Sequence, residues 1–87
     1  MPFVYILRCV DDSFYVGKAR DLRVRLDEHQ AGVAANFTAA RRPVEMVYAE
    51  EHATHIQAES RESQLKRWSR RKKQALIDGD VSRLKRS

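Results

Sequence analysis

The 87-residue chain has one cysteine, two prolines and three glycines. A single cysteine, Cys9, excludes an internal disulfide and a cysteine-rich zinc site. It reads as a small apolar filler at a strand end rather than as a nucleophile. Three glycines leave no room for a dinucleotide fingerprint, and no Gly-x-x-x-x-Gly-Lys phosphate loop occurs. The longest apolar run, Phe3 to Leu7, is far too short to span a bilayer. No signal-peptide pattern is found, so the expectation is a cytoplasmic protein with no membrane contact. There are no repeats, low-complexity stretches or internal linkers. His52 and His55 lie three apart, but nothing completes a metal site around them, and they read as surface.

What is present is one small domain's worth of chain, 43% apolar, with room for one compact core. The net charge is +5 and is unevenly placed. Residues 1–60 carry 7 basic and 9 acidic side chains, whereas residues 61–87 carry 10 basic and 3 acidic. A basic block beside a mildly acidic body fits a polyanion partner, of which nucleic acid is the commonest. A solvated helix with a soluble tail accounts for the same charge equally well.

Phe3-Val4-Tyr5-Ile6-Leu7 and Phe14-Tyr15-Val16 are β-branched and aromatic, and predict two strands. Asp11-Asp12-Ser13 between them is turn chemistry, so the two should form a hairpin. Asp21 is a good N-cap for a helix carrying Leu22, Arg25, Leu26 and His29 at helical spacing, and Gly32 should end it. Residues 33–42 read as a loop. Val44 to Tyr48 predicts a third strand, with Val44, Met46 and Tyr48 alternating against Glu45 and Val47. A second helix is expected over Thr54–Trp68, and Ser69 caps a last short one ending near Asp78-Gly79. The order β-β-α-β-α-α predicts an α+β domain: a small, three-stranded, mainly antiparallel sheet flanked by helices. The domain should cover 1–79, with 80–87 a basic, loose tail.

Several residues look out of place for a plain core. Ala58 and Leu65 mark the inner face of the second long helix, and Glu62 falls between them. A carboxylate there needs a cation, a metal or a donor. An ion pair with Arg25 or Lys66 would serve; so would a hard metal such as Mg²⁺ or Mn²⁺. Arg25 has the same two readings: a surface pair with Asp21 or Glu28, or a fork holding a phosphate. His29 fits a satisfied core histidine as well as a catalytic one. Tyr5 and Tyr15 lie on the paired strands, where packing alone would explain them. Gly17 after Tyr15 lets another group approach the backbone closely. Lys18 follows, and a cation near a phenol would help it take a proton. Phe37 and Trp68 read as core or rim packing, with base stacking as the alternative.

Taken in order, these residues resemble the GIY-YIG nuclease superfamily. The first signature element is Phe3-Val4-Tyr5 and the second is Tyr15-Val16-Gly17. Tyr-Val-Gly-Lys-Ala-Arg-Asp-Leu at 15–22 looks like the N-terminal nuclease domain of bacterial excision-repair enzymes. Leu-Asp-Glu-His at 26–29, Ala-Arg-Arg-Pro-Val at 40–44, Glu62-Ser-Gln-Leu-Lys66 and Trp68-Ser69-Arg70 look more like the stand-alone short GIY-YIG proteins. The match runs over roughly residues 3–77. Each tripeptide is weak alone; their order and spacing make the signal strong.

The resemblance implies roles. Tyr5 and Tyr15 match the two motif tyrosines, one or both of which position or deprotonate the attacking water. Gly17 closes the second motif. Arg25 matches the helix arginine on the scissile phosphate, and His29 a position that supports the site. Glu62 matches the glutamate that binds a single divalent ion, Mg²⁺ or Mn²⁺. Lys18, Lys66 and Arg70 join Gly17 as expected substrate contacts. Phe3-Val4 stands in place of Gly-Ile, a swap at backbone strand positions. No asparagine follows Glu62, although some members carry one in the site.

The implied activity is a metal-dependent endonuclease acting on DNA, with repair or recombination as the setting. The competing reading is a nucleic-acid-binding module of weak or no activity that uses the basic stretch Lys66-Arg67 and Arg70-Arg71-Lys72-Lys73. A protein-interaction adaptor using the same helix is a third. Specificity would have to come from the 33–42 loop, the basic tail or a partner protein, and a two-strand cut would call for a homodimer or two visits.

Overall fold

In the computed structural model, which describes residues 1–79, the two aromatic and β-branched segments form strands β1 (Phe3–Arg8) and β2 (Phe14–Ala19). The expected tail at 80–87 lies outside the described residues. The hairpin turn is held by Asp11, whose carboxylate accepts from the Ser13 amide at 3.1 Å and hydroxyl at 2.5 Å. Asp12 takes a left-handed φ of 70°, which aspartate tolerates better than most residues.

Helix α1 (Leu22–Ala31) starts where Asp21 accepts from the Val24 amide and stops at Gly32, whose φ is 80°. The segment expected to be loop contains a short helix, α2 (Asn36–Ala39). Two arginines explain it. Arg41 Nη1 donates to the Phe37 carbonyl, and Arg42 Nε to that of Ala39, so the end of a helix with no stop glycine still has its carbonyls satisfied. Strand β3 is Glu45–Glu51, three residues longer at its end than expected. It follows β1 down to the Phe3–Glu51 pair, and period-two reading missed it because Glu50 and Glu51 interrupt the apolar pattern. Helix α3 (His55–Lys66) is capped by Thr54, and Gln57 Oε1 accepts from the Ala53 amide, close to a capping box. Helix α4 (Arg70–Asp78) is capped by Ser69 and stopped by Gly79.

The sheet order is β2-β1-β3, antiparallel throughout. Because side chains alternate along a strand, central β1 feeds two cores. Val4 and Ile6 join Val16, Ala58 and Leu65 on the face covered by α3. Tyr5 and Leu7 join Cys9, Ala19 and Val44, with Leu22 and Leu26 of α1 packed on them. Cys9 is thus the buried filler expected. One expectation fails at β3. Ile6 pairs with Tyr48 but Leu7 with Met46, so Val47 is an extra residue in the strand. That bulge shifts the alternation, and Met46 and Tyr48 end in opposite cores instead of on one face.

Candidate active site

Tyr5 is opposite Gly17 across the hairpin, and both belong to the face toward α1. The phenol lies over the glycine. A Cβ at position 17 would be 2.5 Å from Tyr5 Oη and 2.6 Å from Cζ. Gly17 is therefore needed for close approach, as the sequence indicated. Since β2 is an edge strand, the tyrosine hydroxyl is directed toward the sheet edge.

There the hydroxyl meets His29 Nε2 at 2.7 Å. His29 Nδ1 is 2.7 Å from Thr38 Oγ1, and that hydroxyl donates to the Ala35 carbonyl at 3.2 Å. The connectivity sets the proton order. Thr38 has used its hydrogen, so it accepts from His29 Nδ1–H; Nε2 is then bare and accepts from Tyr5. Burial, and secondarily the Arg25 charge, push the His29 pKa below its ordinary value, which keeps the ring neutral. His29 is 1% exposed and both nitrogens are engaged. It holds Tyr5 in place and is shut off from a ligand.

Burial and the neighbouring Tyr15 push Tyr5 up to about 12; Arg25 works against the shift and Glu62 adds to it. Tyr15, Arg25 and Glu62 thus all act on the one phenol. Tyr15 is only partly buried, and its ring meets the His29 ring edge-on at 5.1 Å. Arg25 Nε donates to Glu28 at 3.0 Å, the helix-surface partner that the sequence offered, and Nη1 to the Lys18 carbonyl at 3.1 Å. Burial opposes its charge, but Tyr5 and Glu28 outweigh that and raise its pKa. Its side chain is still 40% exposed, so the fork is oriented yet open to a ligand.

Glu62 comes from α3, and its side chain is 18% exposed. Lys66 Nζ lies 3.5 Å from it, one turn on, which is one of the two ion pairs considered. Arg25 takes Glu28 instead. Among the described residues no group of three or more His, Cys, Asp or Glu is placed to hold a metal. One shielded carboxylate suits Mg²⁺ or Mn²⁺, which keep several waters and take further oxygens from substrate phosphate.

Two expected contacts behave differently. The Lys18 side chain alternates away from Tyr15 and Gly17, and its Nζ lies 3.8 Å from Glu59, so it is not the cation beside the tyrosines. Arg70 is bonded to the Asp12 carbonyl and lies 4.3 Å over the Phe14 ring, which ties α4 to the hairpin. Trp68 packs on the α3-side core, flanked by Arg61 and Lys72, as expected of rim packing. His52 is bonded to Glu50, remote from this cluster in the hydrogen-bond network. Sequence reasoning missed Thr38. A lone threonine in a supposed loop gives no periodic signal; only a buried histidine needing a second partner would have pointed to it.

A family description of the GIY-YIG catalytic domain matches residues 1–75. A UPF0213 protein of Staphylococcus aureus strain Mu3 is 44% identical over 75 residues, covering 86% of this chain and 92% of that protein. Its namesake in strain N315 matches to the same extent. The UPF0213 protein of Bacillus halodurans, solved by NMR in solution, is 34% identical with a TM-score of 0.60, covering 92% of this chain and 86% of that one. None of those names states an activity. No helix among the described residues is long and apolar enough to cross a membrane.

Proposed function

The chain belongs to the GIY-YIG family, a family of nucleases, and from that premise we propose that it hydrolyses phosphodiester bonds in DNA with one divalent ion, Mg²⁺ or Mn²⁺. The reading is supported by the shielded Glu62, 18% exposed and paired with Lys66, which adds to the raised Tyr5 pKa that Tyr15 also raises and Arg25 lowers. A pure nucleic-acid binder has no use for such a carboxylate, which repels phosphate.

Glu62 would hold the ion, with Lys66 moving from the carboxylate to a phosphate oxygen. The ion would polarise the phosphate and stabilise the leaving oxygen. Arg25, held by Glu28 and the Lys18 carbonyl, offsets charge building on the phosphoryl oxygens. Tyr15 is the phenol that meets the attacking water. Tyr5 is fully buried, donates to His29 and has a pKa of about 12, so it is a poor base and acts by holding His29 and the Arg25 side in register. Repair or recombination is the setting the family resemblance favours.

Labelled duplex, single-stranded and branched DNAs, incubated with Mg²⁺, with Mn²⁺ and with chelator, test the reading. Cutting that chelator abolishes supports it. Salt-sensitive binding with no cutting of any substrate under any ion refutes it in favour of a binding module.

A further inference from the structure

A cavity of about 240 Å³ opens beside the candidate site, lined by Phe14, Tyr15, Val16, Phe37, Lys66 and Lys73. It is smaller than the roughly 300–1,000 Å³ that takes a drug-sized ligand, so it suits a single ring system. Its chemistry is of two kinds. Phe37 and Tyr15 stack on each other along one wall, 6.0 Å between centroids and 28° from parallel, and Phe14, which alternates to the α3 side of β2, borders the other. Two ammonium groups, Lys66 and Lys73, supply positive charge. Nearby arginines brace the walls: Arg41 lies 3.9 Å over Phe37, and Arg70 4.3 Å over Phe14. Burial holds the Lys73 pKa below its ordinary value, as expected of an ammonium set into such a wall.

Two lining residues connect the cavity to the site. Tyr15 touches His29, and Lys66 touches Glu62. A ligand in the cavity therefore lies next to any phosphate held by Glu62 and Arg25. An aromatic lining with two ammonium groups, around a space of about 240 Å³, matches a nucleobase with its own phosphate. A base inside a duplex is stacked on both faces and cannot enter.

We propose that this cavity binds one unpaired base of the DNA strand, adjacent to the scissile phosphate, so that the preferred substrate carries an unstacked nucleotide at the cut: a single strand, flap or loop. The proposal rests on the nuclease reading for what the neighbouring site does, but its test does not use cutting. Phe37 is the residue to change, because it is half-exposed on a short helix and has no part in the phosphate site.

The probe is a single-stranded DNA oligonucleotide carrying one 2-aminopurine, moved position by position. Both proteins carry Glu62→Gln, which prevents repulsion of phosphate without a metal. Quenching is expected at one position, absent when that base is paired in a duplex and absent in the Phe37→Leu protein. An abasic residue at that position should weaken binding roughly fivefold or more to the Phe37 protein. It should change binding to the Phe37→Leu protein by less than about twofold. Phe14→Leu should behave like Phe37→Leu, and circular dichroism shows whether each variant is folded. Even quenching at all positions, no quenching, or an equal abasic penalty in both proteins overturns the proposal. Chelator-sensitive cutting by the unsubstituted protein would be unaffected by that failure, so the two readings fail separately.

Discussion

Gly17→Ala offers a sharp test of how the site is built. The new methyl would sit 2.5 Å from Tyr5 Oη and 2.6 Å from Cζ. The ring cannot retreat easily, because Tyr5 is fully buried and its hydroxyl is bonded to His29 at 2.7 Å. Forcing a carbon into packed space costs about 1–3 kcal/mol. In a domain of this size each kcal/mol lowers Tm by about 4–8 °C, so a fall of roughly 4–24 °C is expected by calorimetry. Displacing the phenol also moves His29 and the Arg25 side, and a misplacement of about 1 Å can lower cutting by on the order of 100-fold. Tyr5→Leu removes the atoms that clash. In that background Gly17→Ala should cost under about 0.5 kcal/mol, because the two changes are coupled through direct contact. An alanine that leaves Tm unchanged, or costs the same in both backgrounds, would refute the close-approach role of the glycine.

Thr38→Val should destabilise by about 1–3 kcal/mol by leaving His29 Nδ1–H buried without an acceptor, whereas Thr38→Ser should cost less; urea unfolding compares them. Nitrogen NMR should show His29 protonated at Nδ1 and bare at Nε2; the opposite tautomer would contradict a proton order running from Tyr5 to His29 to Thr38. Because burial lowers the His29 pKa below 6.5, the unfolded chain binds the proton more readily than the folded one, so His29's contribution is complete above pH 6.5 and is lost as pH falls below it; His29→Gln should flatten that slope in unfolding curves. Tyr5 has the opposite sign. Its pKa is raised from 10.0 to about 12, so its contribution is present below pH 10 and lost as pH rises through about 12, which ultraviolet titration of the tyrosines tracks together with unfolding. Tyr15→Phe should lower kcat by about 10²–10⁴-fold.

Local chemistry carried most of the fold. Asp21, Gly32, Ser69 and Gly79 cap helices where turn and cap preferences put them, and the two β-branched and aromatic strands pair as a hairpin. Errors arose where tertiary context decides. The Val47 bulge flips the outward side of β3, which no alternation pattern reveals. Helix α2 exists because Arg41 and Arg42 fold back on its carbonyls, an effect set by side-chain reach rather than propensity. At the site, the motif spacing put Tyr5, Gly17 and His29 together. It did not separate the buried phenol from the reachable one, and Lys18 was misplaced because strand alternation turns it toward Glu59. Thr38 was invisible because its role depends on a contact nine residues away.

In the proposed mechanism Glu62 holds the ion for phosphodiester cleavage. The most direct test compares cutting by the unsubstituted protein and by Glu62→Ala, over a titration of Mg²⁺ and Mn²⁺, with circular dichroism confirming that both are folded. Ion-dependent cutting should disappear in Glu62→Ala at every ion concentration. Cutting by folded Glu62→Ala at the unsubstituted rate would contradict that mechanism.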